Sequence, residues 1–167
     1  MTVDVLFPYY GDVELMKLAV RSVLNQEYTD FRLVVVDDGY PDDSIPGWFE
    51  ALGDDRVSYE RNDRNLGANG NYRKCLGKVT NDLVVVMGAD DVMLPNYLGW
   101  LVDRAARYPR ADIFQPGVFV IDERGAPSNT LVERVKACYR PKGRGVRLLA
   151  GQETAVSLLR GDWLYFP

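Results

Sequence analysis

Two pairs of adjacent aspartates carry the clearest chemical signal in this 167-residue chain. Asp37-Asp38-Gly39 follows the apolar run Leu33-Val34-Val35-Val36, and Gly88-Ala89-Asp90-Asp91 follows Leu83-Val84-Val85-Val86-Met87. Adjacent carboxylates repel each other and need donors or a cation nearby. The first pair can accept from a pyrimidine N–H or from ribose hydroxyls; Asp-Gly is equally a common turn dipeptide. The second pair offers hard oxygen ligands that suit Mg2+ or Mn2+ bridging to a diphosphate. It can equally cap a helix starting near Pro95. In Pro8-Tyr9-Tyr10-Gly11, proline and glycine break the strand and place two aromatic rings at its tip, to cover a base or sugar face or to pack on a neighbouring helix. In Arg61-Asn62-Asp63-Arg64-Asn65-Leu66-Gly67-Ala68-Asn69-Gly70, glycine and asparagine permit unusual backbone at a helix entry. Helix N-termini favour anions, and Arg64 can meet a phosphate or a base. Neither GxGxxG nor GK[ST] occurs, which excludes the Rossmann dinucleotide and P-loop readings.

The chain contains no histidine. That removes the Ser-His-Asp triad, Cys-His catalysis and every His-containing zinc site. Proton transfer is left to carboxylates, Tyr, Lys or water. Cys75 and Cys138 stand alone, which suits a reducing cytosol and excludes a disulfide scaffold. The formal net charge of -4 conceals a split, with acids dominating up to Glu123 and bases thereafter. The acidic bulk speaks against nucleic acid as a partner. Asp4 stands where a signal peptide would carry positive charge, and the apolar runs are too short to span a bilayer. A soluble, cytoplasmic chain is expected, with a role at the membrane surface left open.

The elements that must hold these groups follow from periodicity. Strands are expected at residues 3–7, 33–36, 57–59 and 83–87, the valine-rich ones buried on both faces. Helices are expected at 13–24, 45–52, 68–78, 98–106 and 152–160, with a fifth strand region at 113–121 interrupted by Pro116-Gly117. Strand–helix alternation predicts an α/β fold with a mostly parallel sheet and right-handed crossovers. Ligands of such sheets bind beyond the carboxyl ends of the strands, which is where both aspartate pairs fall. Residues 123–147 are rich in Arg, Lys, Gly and Pro and read as a long loop.

In combination these pieces resemble the family 2 glycosyltransferases, over essentially the whole chain. The resemblance rests on Phe7-Pro8-Tyr9-Tyr10, Arg21-Ser22-Val23-Leu24-Asn25-Gln26, Val34-Val35-Val36-Asp37-Asp38-Gly39, Arg64-Asn65-Leu66-Gly67 and Ala89-Asp90-Asp91 with Leu94-Pro95. It implies the GT-A fold, a nucleotide-diphosphate sugar donor (UDP-sugar favoured) and a Mg2+ or Mn2+ ion. It implies donor contacts from Pro8, Tyr9, Tyr10, Asp37, Asp38, Arg64, Asn65, Gly67 and Asp90, with Asp90 and Asp91 at the metal. Asp37 and Asp38 belong to the base and ribose end, their individual roles not separable. Two departures stand out. Gly88 occupies the position of the first Asp in the family's Asp-x-Asp, so either Asp91 compensates or the metal is held weakly. Gly11 replaces an Asn common in the family.

Under this resemblance, residues 1–122 form a nucleotide-sugar-binding core. Residues 123–167 form a basic loop and the start of the acceptor side, within the same, incomplete domain. The family's catalytic base, an Asp often preceded by Glu, belongs to the acceptor half. Asp162 is the only late aspartate, and the base is expected beyond Pro167, leaving these residues inactive alone. The reaction implied is inverting transfer in the synthesis of a cell-surface polysaccharide, the oligomeric state being open. Alternatives are a non-catalytic nucleotide-sugar-binding module and a nucleotidyltransferase; the latter lacks its glycine-rich loop here. Arg134, Lys136, Arg140, Lys142, Arg144 and Arg147 read as a solvated loop or, more sharply, as a contact for an anionic glycan or lipid-linked acceptor or a membrane surface. Arg140, Lys142 and Arg144 are the candidates for that contact.

Overall fold

The computed structural model describes residues 1–122, 125–128, 130–139 and 145–161. They divide into a unit spanning residues 1–109 and a second beginning at Arg110. The first unit holds β1 (Val3–Tyr9), α1 (Val13–Leu24), β2 (Phe31–Asp37), α2 (Ser44–Leu52), β3 (Val57–Arg61), α3 (Gly67–Leu76), β4 (Leu83–Val86) and α4 (Tyr97–Arg107). The strands form one parallel sheet in the order β3-β2-β1-β4.

The central strands are buried because their sequences supply no polar face. Every residue of β1 is buried, and β2 is buried except at Arg32. Leu6, Val34, Val36 and Cys75 pack together beneath α3, with Val86 against them. α1 begins where Asp12 accepts hydrogen bonds from the Glu14 and Leu15 N–H groups, both at 2.9 Å. It buries Met16, Ala19, Val20 and Val23, spaced at three and four residues as a core-facing helix requires.

At the amino end of the sheet, Asp4 fixes β4 onto β1. Its fully buried carboxylate accepts from the Thr80 N–H (2.7 Å), the Asn81 N–H (3.0 Å) and the Asn81 amide (2.7 Å), with Arg32 at 3.5 Å. Burial pushes this carboxyl up, but the donors and Arg32 outweigh it and hold the carboxyl below its ordinary 3.8. A depressed folded value means the stabilisation is complete above that ordinary value and is lost as pH falls below it. Asp4→Asn is therefore expected to destabilise the chain by about 2 kcal/mol at neutral pH. In urea unfolding the gap from wild type should persist from neutrality down to mildly acidic pH. It should close only as pH drops below 3.8.

The second unit differs from expectation in two places. Residues 113–121 form no strand, and Ile121 makes only an isolated antiparallel bridge to Pro127. Pro116 cannot donate to a ladder, and Ile113 and Phe119 are exposed, so no face of this run is buried. The expected basic loop contains a helix, α5 (Leu131–Tyr139), followed by α6 (Gly151–Gly161). The apolar Leu131, Val135 and Tyr139 recur at four-residue spacing along α5, a helical signal obscured by the surrounding charge. Arg140, Lys142, Arg144 and Asp162 lie outside the described residues.

Candidate functional site

The register sets the level of each strand tip. Tyr9 pairs with Asp37, and Asp37 with Arg61, so three strands end in one row. β4 leaves earlier, its last paired residue Val86 standing opposite Leu6. Since β1 lies between β2 and β4, the chain order reverses around it, and a crevice at that reversal is where open α/β sheets bind ligands.

The structure separates the two members of Asp37-Asp38. Asp37 is fully buried, and both of its oxygens are engaged. Oδ1 accepts from the Tyr40 N–H (2.8 Å) and Oδ2 from the Tyr59 hydroxyl (2.6 Å), with Arg61 Nε at 3.9 Å. Asp38 uses one oxygen only. Its Oδ1 accepts from Asn62 Nδ2 and from the Leu66 N–H, both at 2.8 Å. Its Oδ2 accepts hydrogen bonds from no described residue, although Asp38 as a whole is buried.

Asp38 is held by a chain of amides whose orientation is determined. Lys74 donates to Asn62 Oδ1 at 2.7 Å, which turns Asn62 Nδ2 towards Asp38 and towards Asn71 Oδ1 at 3.1 Å. Asn71 Nδ2 donates in turn to the Val36 carbonyl at 2.8 Å. Asn62 and Asn71 are both buried, so each of these bonds is costly to break. Gly39 completes the approach. Its φ is +74°, and a Cβ there would stand 3.4 Å from the backbone of Asn62, Arg64 and Asn65. Only glycine takes that conformation freely while letting the two loops come so close.

Adjacent aromatics divide in the same way. Tyr9 is fully buried, its hydroxyl donates to the Gly11 carbonyl at 2.7 Å, and burial and then Asp37 raise its pKa strongly. Its ring therefore has no face for a ligand, although its carbonyl accepts from the Asp38 N–H at 2.8 Å. Tyr10 is exposed, with its ring edge-on to Tyr40 at 5.3 Å. Pro8 is a buried strand residue paired with Val36. On the loop into α3, Arg64 is exposed and pairs with no acid among the described residues. Asn65 Oδ1 accepts from the Gly67 N–H at 2.8 Å, and Gly67 has a φ of +73°.

At the β4 tip, Asp90 and Asp91 are exposed, and neither forms an ion pair among the described residues. Partial burial first, and Asp90 second, push the Asp91 carboxyl up, with the Gly88 N–H drawing it partly back. The pair also acts on α3, because burial, then Asp91, and more weakly Asp90 raise the Tyr72 hydroxyl. Gly88 is buried, and a Cβ on it would stand 2.7 Å from Asp91 Oδ2 and 3.3 Å from Asp90 Oδ1. No three His, Cys, Asp or Glu side chains converge as a metal cage among the described residues. Two carboxylates with remaining positions left to phosphate oxygens is nonetheless how Mg2+ commonly sits in phosphate sites.

The sequence reading missed what steadies this tip. Ser22 Oγ accepts from the Met93 N–H at 2.9 Å. The buried Gln26 donates to the Leu94 carbonyl at 2.7 Å and accepts from the Leu98 N–H at 3.0 Å. The end of α1 thus clamps the segment after Asp91. Both residues belong to the motif that carried the resemblance, but nothing local in the sequence indicates their partners.

Comparison with known proteins gives a consistent result. The family described as glycosyl transferase family 2 matches residues 4–146. An uncharacterized Mycobacterium tuberculosis protein is 35% identical over 61% of this chain and 32% of its own length. The GalNAc(5)-diNAcBac-PP-undecaprenol beta-1,3-glucosyltransferase of Campylobacter jejuni is 30% identical over 61% of this chain and 34% of its own. The aligned part spans about a third of the length of these relatives. Among solved structures, S. aureus TarS in complex with UDP-GlcNAc superposes with a TM-score of 0.63 at 20% identity, over 77% of this chain and 37% of that one. The mannosyltransferase PcManGT of Pyrobaculum calidifontis, in complex with GDP-Man and Mn2+, gives 0.55 at 22% identity over 73% and 36%.

Proposed function

Because the chain belongs to glycosyl transferase family 2 and has the GT-A fold, we propose that its first unit binds a nucleotide-diphosphate sugar, UDP-linked by preference. The observation that carries this is the division within Asp37-Asp38. One carboxylate is spent on structure, while the next, though buried, keeps one acceptor oxygen without a donor among the described residues. A pyrimidine N–H matches that oxygen. Tyr10 offers the exposed ring at the same end, and Arg64 with Asn65 and Gly67 at the α3 entry offers positive charge and backbone donors to the nucleotide.

Asp90 and Asp91 would hold Mg2+ or Mn2+, and such an ion would supply positive charge to stabilise a diphosphate leaving group. The reading favours inverting transfer, in which an acceptor hydroxyl displaces the diphosphate directly and gives its proton to a carboxylate. No base is assigned within the described residues. A glycan or lipid-linked acceptor fits the proposal, and TarS in complex with UDP-GlcNAc and the Campylobacter glucosyltransferase support the donor class. Among the described residues, no helix is long and apolar enough to cross a membrane.

Calorimetric titration of the chain with UDP, GDP and ADP, with and without Mn2+, tests the reading. UDP is expected to bind most tightly, and Asp90→Ala to weaken it about tenfold when Mn2+ is present. Failure to bind any nucleoside diphosphate overturns the donor site.

A further inference from the structure

The short loop after β4 hangs between two fixed points. On its near side the Met87 N–H donates to the Leu6 carbonyl at 2.9 Å, which ties the chain to the sheet as far as Gly88. On its far side the end of α1 holds the backbone. Ser22 Oγ accepts from the Met93 N–H at 2.9 Å, Gln26 Nε2 donates to the Leu94 carbonyl at 2.7 Å, and the Glu27 N–H donates to the Pro95 carbonyl at 2.9 Å. Both side chains are locked in turn. Ser22 Oγ donates to the Ala19 carbonyl at 2.6 Å, and Gln26 Nε2 also donates to the Ser22 carbonyl at 3.2 Å. Gln26 has a second task. The first N–H groups of a helix have no partner inside it. Asn96, which precedes α4, makes no capping bond through its side chain, and Gln26 Oε1 gives the Leu98 N–H its acceptor at 3.0 Å. Gln26 and Met93 are buried, so water does not readily replace these bonds when they break.

We propose that Ser22 and Gln26 are positioning residues: by fastening residues 93–98 to α1 they fix where the loop carrying Asp90 and Asp91 stands, and so set how tightly those carboxylates hold an ion. This role rests on the donor-binding reading above. The physical reason is conformational entropy. A loop anchored at both ends has little freedom left to lose when a ligand arrives, whereas one anchored at a single end must be ordered by the ligand itself. Ser22 and Gln26 act only through the backbone they hold. Released at Met93 and Leu94, the loop still starts from β4, but its carboxylates lose their far support. The base end keeps its own partners, because Asn62 and the Leu66 N–H hold Asp38 on the other side of β1. Loss of the clamp therefore falls on the ion and spares metal-free nucleotide binding.

The test reads, by calorimetry, the gain in UDP affinity that Mn2+ produces. Amide hydrogen exchange over residues 88–92 and the melting temperature are followed beside it. Ser22→Ala and Gln26→Met should each cut the Mn2+-dependent gain about tenfold, the lower end of what loss of an outer partner costs a metal site. Each should speed exchange over residues 88–92, while metal-free UDP binding stays as in wild type. Ser22→Thr keeps the hydroxyl and should keep the gain. Asp4→Asn, at the opposite end of the sheet, is the control: it should lower the melting temperature and leave the gain whole. If Gln26→Met does not fold, Ser22→Ala alone decides. A folded Ser22→Ala chain with the full gain overturns the inference. So does a gain that falls in Asp4→Asn as far as in Ser22→Ala, because general loss of stability then accounts for both. Wild type that binds UDP with no gain from Mn2+ also overturns it and leaves the Asp38 end of the site intact. Wild type that binds no UDP at all removes the donor-binding reading itself.

Discussion

Asp37→Ala is expected to lower the stability of the chain by about 3 kcal/mol, the scale of two hydrogen-bond donors left unpaired inside the protein. The loss follows from what the carboxylate leaves behind. The Tyr59 hydroxyl and the Tyr40 N–H lose their acceptor at 2.6 and 2.8 Å inside the protein, and each unpaired donor costs about 1–3 kcal/mol. Arg61 contributes little more, because at 3.9 Å its hold on Asp37 is loose and it also bonds Asp43 and the Tyr40 carbonyl. The Tyr59 ring stacks on Phe49 at 4.5 Å, so disorder at Asp37 spreads to the seat of α2. Urea unfolding checks this through a lowered midpoint at unchanged slope. A midpoint equal to wild type would show that the buried carboxylate is not holding the edge of the sheet.

Asp38→Asn should do the opposite, leaving stability nearly untouched and weakening UDP by about 100-fold, at the strong end for a hydrogen bond to a charged group. Asparagine keeps an oxygen to accept from Asn62 and Leu66, so the buried half of the interaction survives. Its amide nitrogen then replaces the open oxygen and presents a donor to the base N–H. Donor facing donor adds repulsion to the lost bond. Titration with N3-methylated UDP separates this from general damage, because that ligand has no N–H to give and should bind wild type and variant alike. Equal loss for both ligands would place Asp38 outside the base contact.

Much of this was legible before any coordinates. The β-branched runs at 33–36 and 83–86 mark strands buried on both faces, and the acidic and glycine-bearing tips follow from where those runs stop. The split between Asp37 and Asp38 was not legible, because both are buried and only their tertiary partners, Tyr40 and Tyr59 for one and Asn62 and Leu66 for the other, tell them apart. The Tyr9-Tyr10 pair divides by burial instead, Tyr9 being buried and Tyr10 exposed. Ser22 and Gln26 were visible only as letters of a motif, since their partners lie some seventy residues away. In the second unit, net charge masked the four-residue spacing of α5, and a run of apolar residues around Pro116 mimicked a strand that proline cannot complete.

The position of β1 between β2 and β4 bears on how such a protein changes over generations. The groups proposed to contact the nucleotide follow β1 and β2 and lie on the loop into α3. Those proposed to hold the ion arise from β4, across the central strand. Energetic effects at separated positions that share no partner usually add. A lineage can therefore exchange one nucleobase for another by altering the loops on one flank, while the ion chemistry on the other flank passes unaltered to its descendants. Drift on the β4 flank is equally free to proceed without changing which nucleotide is chosen.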